Sequence, residues 1–161
     1  MSTPSNGTAH SAVDESGNAV IAKSADLQRL LGYWHEKRGG RAFPQRTDLD
    51  PIDLRFMLDR IALVEIHGEA ERRYKLRLVG TWWTEKHGFE ATGTWLENWP
   101  NPAQLKVTLA SYEALLAQRQ PILLLRNEMV DGAVLNYEAM LLPFSEDGMQ
   151  ISMIVAGIGA R

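Results

Sequence analysis

"ILLLRNEMVDGAVLNYEAMLLPFSEDGMQISMIVAGI" (residues 122–158) decides the fold. It holds three apolar-rich runs, "ILLLRNEMV", "AVLNYEAMLLPF" and "MQISMIVAGI", parted by Asp131–Gly132 and by "SEDG" (145–148). Asp-Gly pairs adopt the positive-φ conformations that tight hairpins require. Three strands joined by two such turns form an antiparallel meander.

Immediately upstream, Asn101 and Pro102 mark a helix start, and the helix runs to about Gln118. Leu105, Leu109, Tyr112, Leu115 and Leu116 share its apolar stripe. "TWWTEKHG" (81–88), with Thr81 as cap and Gly88 as stop, predicts a helix of under two turns. "TGTWLENWP" (92–100) is a second short, irregular piece. Before them "YKLRLVG" (74–80) alternates, Tyr74, Leu76 and Leu78 facing one way and Lys75 and Arg77 the other. "IALVEI" (61–66) reads as a buried strand, and the polar turn "HGEAER" (67–72) joins the two into a hairpin.

Further back, Asp50, Pro51 and Asp53 predict a short helix from Pro51 to Leu58. Ser24 caps an earlier helix that carries Leu27, Leu30, Leu31 and Trp34 at helical spacing and stops at Gly39 and Gly40. The order is helix, helix, two strands, helical pieces, three strands. Helices do not alternate with strands, so the class is α+β.

At 161 residues with 45% apolar content, the chain makes one sizeable core without metal or disulfide. A net charge of −3 argues against a general nucleic-acid binder. The absence of cysteine excludes disulfides, thiolate nucleophiles and cysteine-ligated metals. Residues 1–24, rich in Ser, Thr, Asn and Gly, are expected to form a disordered tail ahead of a single domain at 25–161. They lack the basic start and apolar run of a signal peptide, and no run is long enough to cross a bilayer, so a cytoplasmic protein is expected.

Three segments carry a family resemblance: "YWHEKRGGRAFPQRTDLDP" (33–51), "YKLRLVGTWWTEKHGFEATG" (74–93) and "NYEAMLLPFSEDG" (136–148). With the order of two strands, helical insertion and meander, the chain resembles a single-domain PAS-like family found mainly in alphaproteobacteria. The resemblance implies a five-stranded antiparallel sheet covered on one face by short helices, with flanking helices at the N-terminus. It also implies a non-catalytic sensory or regulatory module in bacterial signalling, commonly a homodimer, acting on a small molecule, a partner protein or both. The cysteine-centred motif of flavin photosensors is missing, as are a kinase phosphoacceptor, a cyclase signature and a helix-turn-helix segment. The cofactor is unknown, and the output is expected to pass through contact with a signalling partner protein.

No enzyme motif competes with that expectation. His10, His35, His67 and His87 lack metal-ligand spacing, and no Gly-x-Ser-x-Gly elbow occurs. "EKRGGR" (36–41) follows a helix rather than preceding one, so it reads as a helix C-terminus and not as a phosphate loop. "ERRYKLR" (71–77) reads as the wet face of the hairpin. The tryptophans of 81–99 sit among Glu85, Glu90 and Glu97, a poor setting for stacking nucleic-acid bases.

In the PAS arrangement those tryptophans belong to a lid over the sheet, where the family's ligand cavity lies. Trp83, His87, Phe89, Trp95 and Tyr112 are expected as apolar walls, with Arg126, Asn136 or Tyr137 as polar groups on the sheet. Arg126 follows "ILLL", so it must either meet an acid of this chain or await a ligand. Leu27, Leu30, Leu31 and Trp34 are expected to meet a second copy. The competing reading is an interaction module whose core, closed by Trp95 and Trp99, is filled.

Overall fold

The structure, a computed structural model, describes residues 10–130 and 132–160. Its strands are β1 (Ala12–Val13), β2 (Ala19–Val20), β3 (Ile61–His67), β4 (Arg73–Val79), β5 (Ile122–Val130), β6 (Ala133–Phe144) and β7 (Met153–Ala160). The helices are α1 (Ala25–Arg38), α2 (Thr81–His87) and α3 (Pro102–Gln118). The sheet order is β2-β1-β5-β6-β7-β3-β4. The meander β5–β6–β7 is antiparallel throughout, and β3 closes on β7, so the hairpin and the meander share one sheet.

The five expected strands are present, but the sheet has seven. The additional pair comes from the expected tail. Asp14 Oδ1 accepts from the backbone N–H groups of Ser16 and Asn18 at 2.9 Å, and Gly17 takes φ 89°, which folds "DESGN" (14–18) into a turn. Val13 then pairs in parallel with Ile122, and Ala12 and Val13 are buried. Residues 10–24 are therefore part of the fold, held by turn chemistry that their low hydrophobicity concealed. Residues 1–9 of that tail lie outside the described residues. Of the Asp131–Gly132 turn, Gly132 has φ 80°, while Asp131 lies outside the described residues.

Several boundaries follow from capping. Ser24 Oγ accepts from Leu27 N–H, and Asn101 Oδ1 accepts from the N–H groups of Ala103 and Gln104. The expected helix from Pro51 to Leu58 is instead two 3₁₀ turns, Pro51–Leu54 and Leu58–Arg60. Met57 between them leaves helical geometry (φ −146°), and both Leu54 and Met57 are buried.

Helices cover both faces of the sheet, not one. On the first face Leu27, Leu30, Leu31 and Trp34 of α1 pack against Leu123, Met140, Leu142 and Val155. On the second face α2 and α3 cover Ala62, Val64, Leu76, Leu124, Leu141 and Ile154. Successive strand residues alternate between these two cores, as a sheet buried on both sides demands. The α1 stripe thus belongs to the protomer's own core, which corrects the expectation that it meets a second copy. A Cβ at Gly157 or Gly159 in β7 would run into Leu30 or Ser24, so both positions stay bare where α1 lies on the strand.

One strand face also shifts. A bulge at Leu63/Val64 breaks the alternation of β4: Tyr74, Leu76 and Val79 turn inward, and Leu78 is left 39% exposed.

Candidate functional site

The second face holds the cavity. α2 is bounded by Gly80 and by Gly88, whose φ of 80° stops the helix, and it projects Trp83 and His87 toward the sheet. A 3₁₀ turn at Leu96–Asn98 follows, and Trp99 emerges from it toward the N-terminal turns of α3. Trp83, His87, Trp99, Gln104, Thr108 and Tyr112 then face Glu128 and Tyr137 of the β5–β6 hairpin across a cavity of about 90 Å³. Ala62, Leu76, Val79 and Ala156 line its sheet side. Two outer grooves share these walls. One, about 290 Å³, lies between α3 and the hairpin at Arg126–Met129, and the other, about 410 Å³, lies beside Phe89, Trp99 and Met129.

Aromatic rings set the shape. Trp82 meets Trp83 and Tyr137 edge-on at 5.2 and 5.1 Å, and Trp99 meets His87 and Phe89 at 5.2 and 4.8 Å. Such T-shaped contacts fix ring orientation as well as burying area. The Trp99 indole N–H donates to Gln104 Oε1 at 2.8 Å, tying the lid to α3.

The polar centre is Glu128, whose side chain is 15% exposed. The Tyr137 hydroxyl donates to Glu128 Oε1 at 2.6 Å, and His87 Nε2 stands 4.0 Å from the same oxygen. Burial, with the Glu128 carboxylate beside it, pushes the Tyr137 hydroxyl pKa far above its ordinary value. Burial also holds the His87 pKa below its ordinary value of 6.5, against the opposing pull of Glu128. The Tyr112 hydroxyl finds no hydrogen-bond partner among the described residues, and burial alone raises its pKa.

The expected site residues take different places. Trp83, His87, Tyr112 and Tyr137 come together in the cavity, and Phe89 rims the outer groove. Trp95 does not join them. It lies on the outside of β4, with the Arg73 guanidinium 3.8 Å above its ring and His67 edge-on at 5.3 Å. Trp95 and Trp99 flank a 3₁₀ turn, so their side chains part instead of sharing a helix face. Arg126 meets an acid of its own chain: its guanidinium lies 3.7 Å from Glu15 Oε1 and donates to Ser111 Oγ. Asn136 is exposed. The charged group of the cavity is therefore an acid two residues beyond the expected base. The alternation of β5 that carries Arg126 to the lid side carries Glu128 there as well, and that signal was present in "RNE" (126–128).

A family model for the PAS domain matches residues 22–158. The chain belongs to the PAS domain family. No curated protein and no solved structure matches it. Among the described residues of this PAS domain no helix is long and apolar enough to cross a membrane, and no three His, Asp or Glu side chains gather to hold a metal. Two arginines of β4 are paired with acids on the outer surface. Arg73 reaches Glu97 at 2.8 Å, and Arg77 lies 3.7 Å from Glu65.

The buried histidine makes stability depend on pH. His87 and, on the other side of the domain, His35 are both held below 6.5 by burial, and at His35 the charges of His10 and Arg38 add to the effect. The unfolded chain then binds more protons than the folded one as pH drops below 6.5, so stability is full above that value and is lost on acidification. Thermal melts from about pH 7.5 to about 5.5 are expected to show a falling midpoint, with a smaller fall in His87→Asn. An unchanged slope in that variant would mean that His87 titrates as a solvated group.

Proposed function

We propose that this PAS domain is a non-catalytic sensory module that binds a small molecule between α2, α3 and the sheet. Binding is passed on as altered contact with a partner protein or a second copy. The cavity of about 90 Å³, walled by tryptophan and tyrosine and carrying the half-buried Glu128–Tyr137 pair, supports this reading. Ligand sites combine apolar walls with a few convergent polar groups, and this cavity has both. The hairpin and helices that wall it reach the surface, so occupancy acts on the exposed ends of β5 and β6 without any catalytic step. The small volume supports the second reading, a filled interaction module, and one experiment separates the two.

The test is thermal stability across a metabolite library. A compound that binds the folded state at a hundred times its dissociation constant stabilises it by about 2.7 kcal/mol. Ala156, on the cavity floor, offers the control. Ala156→Met fills the space, so compounds that raise the midpoint of the natural protein are expected to lose their effect there. If no compound shifts the natural protein, or if the shift survives Ala156→Met, ligand binding in this cavity is contradicted.

A further inference from the structure

The charge of the cavity narrows the chemistry of what enters it, and the argument rests on the ligand-binding reading above. Glu128 is the one acid or strong base among the inner cavity's lining residues. Among the described residues its carboxylate receives a hydrogen bond from Tyr137 alone, and no lysine or arginine lies within ion-pair distance. Arg126, two residues earlier on β5, is engaged with Glu15 and Ser111. His87, 4.0 Å away, is kept neutral by burial at ordinary pH. A half-buried carboxylate with no paired lysine or arginine gains from a cationic partner, whereas an anion placed beside it is repelled.

The walls favour the same charge. Trp83, Trp99, Tyr112 and Tyr137 line the space around Glu128. The faces of such rings carry partial negative charge and attract cations, most strongly where water is excluded. The Tyr112 hydroxyl lines the same space and can accept a hydrogen bond from an N–H of the guest.

Size sets the rest. A cavity of about 150 Å³ holds a benzene ring, so about 90 Å³ admits a head group of a few heavy atoms. The remainder of the molecule must lie in one of the two outer grooves that share the cavity's walls. We propose that the site takes a small organic cation, a protonated amine or amidine on a short apolar tail, with Glu128 as its counter-ion.

The experiment compares 2-phenylethylamine, 2-phenylethanol and 3-phenylpropanoate, which share a ring and a two-carbon link and differ in the charge of the head group. Each is titrated into the full chain with tryptophan fluorescence as readout. The amine is expected to bind at least tenfold more tightly than the alcohol, and the carboxylate more weakly still. In Glu128→Gln, shown to be folded by circular dichroism, amine and alcohol should bind alike. In Tyr137→Phe, which leaves the carboxylate in place, the preference for the amine should persist. If the alcohol or carboxylate binds the natural protein as tightly as the amine, or if Glu128→Gln keeps the preference, the cation assignment is overturned while the cavity remains a ligand site. If none of the three binds, the cation assignment is overturned, and the library melts with their Ala156→Met control decide the ligand-binding reading separately.

Discussion

Leu31→Asp combined with Trp34→Asp is expected to unfold the protein. Both side chains are buried in the α1 face of the core, and the Trp34 indole N–H donates to the Pro143 carbonyl at 2.9 Å. Each substitution removes apolar contacts and sets a carboxylate in the core that holds Met140, Leu142 and Phe144. A large core side chain reduced to alanine costs about 2–5 kcal/mol, and an unpaired buried charge costs more. Domains of this size are stable by about 5–15 kcal/mol, so the double variant exceeds what the fold has to lose. Circular dichroism should show the loss of sheet, and sizing should show an expanded chain. A compact particle of half the natural mass would instead make the stripe a subunit interface.

Glu138→Ala is expected to destabilise the domain by about 2–4 kcal/mol, because it strands two part-buried backbone donors, each in the lower half of the range of about 1–3 kcal/mol for an unsatisfied group. Glu138 lies on β6 at 1% exposure, and its two oxygens accept from the backbone N–H groups of Lys23 and Ser24 at 2.9 and 2.8 Å. That pair of bonds pins the entry to α1, one residue before the helix begins. Without it Ser24 loses the position from which it caps Leu27. Glu138→Gln retains an acceptor oxygen and should fall between the two. Urea denaturation reads the loss, and faster amide exchange at Lys23 and Ser24 locates it. A change of under about 0.5 kcal/mol would match a surface substitution and contradict the anchoring role.

Glu128 and Glu138 also mark where the sequence stops being informative. The limits of β5 and β6, and of α3 from Asn101 to Gln118, are written in turn residues, caps and period, which act locally. An acid inside a strand looks like the wet face of a hairpin, because its partners lie far along the chain: Glu138 meets residues 115 and 114 positions away. Likewise the stripe of Leu27, Leu30, Leu31 and Trp34 is legible as apolar, but what covers it is the sheet's first face, built from residues far along the chain. Trp95 and Trp99 differ for a similar reason, since a single 3₁₀ turn sends one to the Arg73 guanidinium and the other to His87. The lid as a segment was visible; which of its side chains reach the cavity depended on how three distant elements close over the sheet.

The most direct test of the ligand site uses the five tryptophans themselves. Their indole N–H resonances can be followed by nitrogen-15 NMR while a compound that raises the melting midpoint is added. Trp83 and Trp99 line the cavity, Trp34 is buried on the opposite face, and Trp95 lies outside β4. Binding between the lid and the sheet predicts that the Trp83 and Trp99 resonances move together with occupancy while Trp34 and Trp95 stay in place. Movement of Trp34 or Trp95 with Trp83 and Trp99 unmoved would place the ligand elsewhere and contradict the account.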